Sequence, residues 1–326
     1  MDKLYDRNLF GLFLRYFEIG EIKKLIRKDK YILNFIIKNK WCVSNLDINN
    51  LNWIKFGFKN IKKLDISRSL IKKIPKELKN LEYLDCEVSD VESIPKELVN
   101  LRKLICSTTK LKTIPKELKN LEYLDFSYTT NINVIPKELI NLECLICHNS
   151  DIKIIPKELV NLKELVCSLT KIKIIPKELV NLKVLNCFGC IEMLGEIPKE
   201  LVNLRELICS TTTINKIPKE LVNLKSLNCS NTIIKIIPKE LVNLKKLICF
   251  ETKIKEIPDE LVNLEYLDCS KTEIKEIPKK LVNLKDLICF DTNINNIPRK
   301  LLNLEKINFI HISLYKKDEE GNILLN

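Results

Sequence analysis

Apolar residues return along most of this chain with a period of about twenty. One stretch reads Leu81-Glu82-Tyr83-Leu84-Asp85-Cys86-Glu87-Val88-Ser89-Asp90-Val91-Glu92-Ser93-Ile94-Pro95-Lys96-Glu97-Leu98-Val99-Asn100. Numbered from its first Leu, apolar side chains fall at positions 1, 4, 6, 11, 14 and 18. All 12 prolines follow an Ile, from Pro75 to Pro298, at intervals of 20 to 22 residues. Full units begin at Ile61, Leu81, Leu101, Leu121, Leu142, Leu162, Leu182, Leu204, Leu224, Leu244, Leu264 and Leu284, and a truncated one at Leu304. Positions 4 and 6 are one strand period apart, which predicts a short strand with both side chains inward and positions 3, 5 and 7 outward. Proline at position 15 suits the first residue of a helical turn. The Glu that follows two residues later in most units suits the positive end of such a turn. A repeat this short leaves room opposite the strand for a helical turn or a 3₁₀ piece, not a long helix. One unit buries too little apolar surface to fold alone, so the units must stack as a solenoid.

The consensus L-x-x-L-x-C-x-x-T-x-I-x-x-I-P-K-E-L-x-N resembles the leucine-rich repeat family over residues 61–315. The resemblance implies an α/β solenoid. Its parallel strands would line the concave face of a curved array, with short helical or 3₁₀ turns on the convex face and a helical N-terminal cap. The sequence departs from the family at position 6, usually Leu and here mostly Cys, and at position 9, usually Asn and here mostly Thr or Ser. The wording and the Lys, Ile and Asn bias are similar to leucine-rich repeat proteins of giant DNA viruses of amoebae. That similarity implies a viral protein in the host cell cytoplasm. Three segments are expected: a mostly helical cap over 1–60, about 13 units of 20–22 residues over 61–315, and a capping strand or hairpin over 316–326.

Residues 1–60 lack the repeat. Ile22, Leu25 and Ile26, then Ile32, Phe35 and Ile36, follow helical spacing and give one apolar face. A cap over the first open core layer is the plain reading. Residues 5–45, with short apolar helices followed by Trp41, also resemble an F-box, which implies a ubiquitin-ligase adaptor as partner. The basic run Lys23, Lys24, Arg27, Lys28 and Lys30 is a third reading, as a contact for acidic lipid or nucleic acid.

Thirteen Cys in 326 residues invite a metal or disulfide reading. Register argues otherwise. Ten of them, from Cys86 to Cys289, hold inward position 6, where Ile66, Phe126 and Phe309 substitute elsewhere. The slot demands an apolar residue, and buried Cys behaves as a small hydrophobe. Many free thiols also suit a reducing compartment. Cys144-Leu-Ile-Cys147-His148 has the spacing of a haem attachment string, but register sends Cys147 inward and Cys144 outward. Cys187 and Cys190 form a C-x-x-C with no second pair at zinc spacing. No cofactor and no metal are expected. The chain carries only six Gly and two His, and no Ser/His/Asp set, phosphate-cradling Gly loop or carboxylate pair stands out, so no catalysis is expected.

The net charge is +12, of which residues 1–60 carry half. Lys72, Lys112, Lys153, Lys173, Lys235, Lys255 and Lys275 repeat along one flank, but Lys-Glu neighbours make that stripe a solvated face and argue against nucleic acid. No apolar run approaches the roughly 18 residues of a membrane span, and the N-terminus lacks the pattern of a signal peptide. The outward strand positions are less polar than a solvated face requires. Ile248, Phe250, Tyr266, Ile288 and Phe290 are expected to form one patch, flanked by Glu251, Asp268 and Asp291. Tyr83, Asp85, Tyr123 and Asp125 form a second, more acidic candidate. Aromatic anchors within a charged rim are what protein interfaces favour. The expected function is a non-enzymatic interaction scaffold that binds a protein partner on the concave strand face. The alternative is an F-box-like substrate-recruiting subunit of a ubiquitin ligase.

Overall fold

The computed structural model describes residues 61–301 except 70, 194 and 195, together with residues 306–308, 316–317 and 323–324. The cap, F-box and basic-run readings of 1–60, and Phe309, lie outside the described residues. The chain divides into two compact units, Met1–Leu142 and Glu143–Asn326.

The first unit holds four parallel strands of three residues, β1 (Lys63–Asp65), β2 (Tyr83–Asp85), β3 (Lys103–Ile105) and β4 (Tyr123–Asp125). Equivalent positions pair across neighbours, Leu64 with Leu84, Leu84 with Leu104 and Leu104 with Leu124. The second unit repeats the arrangement in β5 (Cys144–Ile146), β6 (Glu164–Val166), β7 (Val184–Asn186), β8 (Glu206–Ile208), β9 (Ser226–Asn228), β10 (Lys246–Ile248), β11 (Tyr266–Asp268) and β12 (Asp286–Ile288). A short β13 (Asn296–Ile297) leaves this stack, and β14 (Lys306–Asn308) extends it beside β12. Finally β15 (Lys316–Lys317) pairs antiparallel with β16 (Ile323–Leu324), and β16 pairs antiparallel with β13. Each unit is a parallel β-solenoid.

The core is the column of positions 1, 4, 6, 11, 14 and 18, with side chains such as Leu207, Cys209, Ile214 and Leu221 fully buried. The position 6 thiols stack in that column. No disulfide joins the 12 described cysteines, and Cys144 alone among them is half-buried rather than buried. Cys144 and Cys147 therefore lie on opposite faces, as the register requires. Cys187 is a core residue, and Cys190 takes the position 9 place, its Sγ 3.0 Å from the Cys167 carbonyl oxygen.

The turn side corrects one expectation. No helix, α or 3₁₀, occurs among the described residues. The Leu78 N–H donates to Pro75 O, and the Leu81 N–H donates to Leu78 O. The same two bonds recur through the array, for example from Leu221 to Pro218 and from Leu224 to Leu221. These i to i+3 bonds are three residues apart and never overlap, so each closes a separate β-turn. Proline accordingly opens a turn as its first residue, not a helix.

Two further side-chain devices brace the array, one between repeats and one within each repeat. Asparagine at position 20 donates its Nδ2 to the position 19 carbonyl of the preceding repeat, as Asn223 does to Val202 at 2.9 Å and Asn243 to Val222 at 2.9 Å. At position 9 a hydroxyl donates back to the position 6 carbonyl of its own repeat, as Thr232 does to Cys229 at 2.6 Å and Thr272 to Cys269 at 2.6 Å. Between these lies position 8, which adopts a left-handed backbone in each of the twelve full repeats, with φ from 50° at Asn149 to 67° at Gly189. That conformation lets the position 8 N–H donate to the position 7 carbonyl of the next repeat, as from Val88 to Ser107 at 2.9 Å. The parallel ladder thus continues beyond the three-residue strands.

Candidate functional site

The outward strand face is set by positions 3 and 5, which alternate with the buried Leu at position 4, and by positions 7 and 8 of the following turn. In the first unit, position 3 reads Lys63, Tyr83, Lys103, Tyr123 along neighbouring strands. The Lys63 Nζ lies 4.8 Å from the Tyr83 ring centre, and the Lys103 Nζ lies 5.9 Å from Tyr83 and 4.0 Å from Tyr123. The face expected to be acidic is therefore a cation–π ladder beside a carboxylate row. Burial, and then Asp85 and Asp65, push the Tyr83 hydroxyl above its ordinary pKa. Asp85 and Asp125 have a local duty as well: an Oδ1 of each accepts the backbone N–H two residues on, from Glu87 at 3.1 Å and Ser127 at 2.9 Å. These are Asx turns that close the strand end.

In the second unit, register sets Ile248, Asp268 and Ile288 side by side at position 5, and Lys246, Tyr266 and Asp286 side by side at position 3. Ile248, Phe250, Tyr266, Ile288 and Phe290 are half-buried. Phe250 and Phe290 are not neighbours, since the fully buried Ser270 stands in the repeat between them. Asp268 Oδ1 accepts from Ser270 N at 3.1 Å and Ser270 Oγ at 2.9 Å, again an Asx turn. Glu251 and Asp291 are exposed on the left-handed position 8, with φ of 56° and 52°. The turn presents them, not the strand. Lys246 lies 5.1 Å from the Tyr266 ring centre. Burial, then Asp268 and Asp286, raise the Tyr266 pKa.

The sequence reading missed a slot of about 520 Å³ on this same face. Its position 5 row is Val166, Asn186, Ile208 and Asn228. Its position 7 row has Phe188 and Phe250 on either side of Ser210 and Ser230, with His148 and Ser168 beyond Phe188. His148 Nδ1 and Ser168 Oγ are 2.8 Å apart. No carboxylate, lysine or arginine lines the slot. The signal was present as Asn at position 5 followed by Phe or Ser at position 7, but it gains meaning only once the turn geometry is known. A larger groove of about 1420 Å³ on the turn side differs in character, with Lys219, Glu220, Lys239 and Glu240 of alternating sign along it. Among the described residues no group of three His, Cys, Asp or Glu could hold a metal ion.

No protein-family model matches the chain, and no curated protein matches it. Solved structures do. An internalin of Listeria monocytogenes superposes with a TM-score of 0.63 at 21% identity, covering 77% of this chain and 87% of its own. A leucine-rich repeat protein of Leptospira interrogans gives a TM-score of 0.61 at 25% identity, covering 80% of this chain and 74% of its own. The chain has the leucine-rich repeat fold. A third neighbour is the functional domain of InlJ from Listeria monocytogenes, described as including a cysteine ladder. It gives a TM-score of 0.62 at 21% identity, over 78% of this chain and 54% of its own. The cysteine column in this chain is built at position 6, where ten of its thiols fall. Among the described residues no helix is long and apolar enough to cross a membrane.

Proposed function

We propose that this protein is a non-enzymatic interaction scaffold that captures a protein partner on the strand face of residues 143–326. One observation carries the reading. From Ile146 to Phe290, the position 5 and position 7 rows contain a single carboxylate, Asp268, and no lysine or arginine, in a chain that is 30% charged. That carboxylate is engaged by Ser270. Such a face loses little hydration energy when covered, and depletion of charge is what marks the centre of protein interfaces. Charge is pushed to the flanks, where it pairs between repeats, as Lys245 does with Glu265 at 2.7 Å and Lys285 with Glu265 at 3.2 Å. The free thiols favour the cytoplasm as the place of action.

The test is affinity capture with the triple variant Phe250→Ser, Ile288→Ser, Phe290→Ser, after circular dichroism shows an unchanged fold. Partners retained by the parent chain should be lost. Undiminished capture of the same partners would sink the strand-face reading. The ubiquitin-ligase alternative rests on residues 1–50, and in this experiment it requires an adaptor that the triple variant still retains.

A further inference from the structure

The slot between Phe188 and Phe250 has a chemistry that selects its occupant. Asn186 sits in β7 and Asn228 in β9, with Ile208 of β8 directly between them in register. Each carboxamide is fixed by its own turn. The Oδ1 of Asn186 accepts from the Phe188 N–H at 3.1 Å. The Oδ1 of Asn228 accepts from the Ser230 N–H at 3.2 Å and from Ser230 Oγ at 2.8 Å. A backbone N–H can only donate, so the oxygen must face the turn, and the NH₂ is the end each residue offers to the slot. Among the described residues neither NH₂ has a protein acceptor.

We propose that the slot binds an uncharged peptide segment in an extended, polyproline-II-like conformation. The proposal rests on the strand-face reading above and gives that face its ligand. Strands in a sheet lie about 4.8 Å apart, so donors two strands apart stand about 9.5 Å from one another. A polyproline-II strand has three residues per turn and rises about 3.1 Å for each, which brings equivalent carbonyls to the same side every 9.3 Å or so. Two carbonyl oxygens three residues apart therefore match the two NH₂ groups. The apolar side chain between them seats on Ile208, between the rings of Phe188 and Phe250. Phe188 is 38% exposed, enough to stack against an incoming chain. A charged peptide side chain would lose water here without meeting a counter-ion, because no lysine, arginine or carboxylate lines the slot.

The experiment pans a displayed library of random nine-residue peptides against the full chain, then measures an enriched synthetic peptide by fluorescence anisotropy. The informative variants are Asn186→Asp and Asn228→Asp. Aspartate already forms the same Asx turn at Asp65, where Oδ1 accepts from the Ser67 N–H at 3.1 Å, and at Asp268, so both variants keep the backbone turn while replacing the NH₂ donor with an anionic acceptor that repels a peptide carbonyl. The expected result is enrichment of uncharged sequences, with affinity falling about tenfold in either variant and unchanged in Lys219→Ser, which lies on the turn side, away from the strand face. Failure to enrich any sequence, enrichment of charged ones, or undiminished affinity in either Asn variant would overturn the proposal. If instead Phe290→Ser abolishes binding and the Asn variants do not, the slot assignment falls while the strand-face reading stands. If no strand-face variant alters binding, both fall.

Discussion

A thiol in the middle of the position 6 column has neighbours above and below that are also thiols, and it is fully buried. Burial pushes Cys229 up to about 12 and Cys289 up to about 12. Burial first, and then neighbouring thiols, raise Cys209, Cys249 and Cys269 well above the ordinary value. An unfolded thiol ionises near pH 8.5. The folded chain therefore holds protons that the unfolded chain releases, so this stability is complete below about pH 8.5 and is lost as pH rises toward 12. Each buried thiol should remove on the order of 1 kcal/mol per pH unit within that window. Urea midpoints at pH 7.5 and 9.5 should fall steeply, and Cys229→Val should flatten the fall by one thiol's share. A midpoint indifferent to alkali would contradict the buried column. The column was legible in the sequence because Ile66 and Phe126 fill the same slot. The left-handed position 8 was not. It is occupied by Arg68, Val88, Leu169 and Lys271 among others, and only Gly189, Asn149, Asn231 and Asp291 carry residue types that favour that conformation. The strain at each, about 1–2 kcal/mol for a non-glycine residue, is outweighed by an inter-repeat backbone bond and the position 9 hydroxyl that follows. Identity at position 8 is therefore left free to vary.

At the scale of the strand and turn, the sequence showed one side of the repeat better than the other. Alternation around position 4 located every strand from β1 to β12 because burial on one face and exposure on the other leave a period of two. The turn side carries no such period. An Ile-Pro-Lys-Glu-Leu string is compatible with a first helical turn or with a β-turn, and the difference lies in whether successive hydrogen bonds overlap. The stack decides it: Leu at position 18 and Leu at position 1 must both face inward, and two separate turns achieve that in seven residues, as from Pro218 to Leu224. Asparagine at position 20 was visible as a constant of the repeat, yet its role depends on the carbonyl of the previous turn. Asn223→Ala should remove the 2.9 Å bond to Val202 and cost about 1 kcal/mol. Because that bond joins two repeats, amide exchange should quicken locally around Val202 and Asn223, and a urea midpoint unaffected within error would assign asparagine no structural role.

Over the whole molecule, charge and recognition are separated. The chain's +12 invites binding to polyanions, but half of the excess falls in residues 1–60. Along the repeats many charges are exposed and paired one repeat apart, as in Lys62–Glu82 and Lys163–Glu143. Exposed pairs of this kind contribute little stability. They keep the flanks hydrated and leave the position 5 and position 7 rows from Ile146 to Phe290 almost free of charge. Salt should therefore distinguish the two modes of binding. A polyanion held by lysines releases counter-ions, so its affinity falls by orders of magnitude as salt rises. A peptide held by two carboxamides, Ile208 and two phenylalanines has no such counter-ions to release. Between 50 and 500 mM NaCl its affinity should change by less than about twofold, while any background binding to heparin disappears. A strong salt dependence of the peptide complex would place its contacts on the charged flanks instead of the strand face.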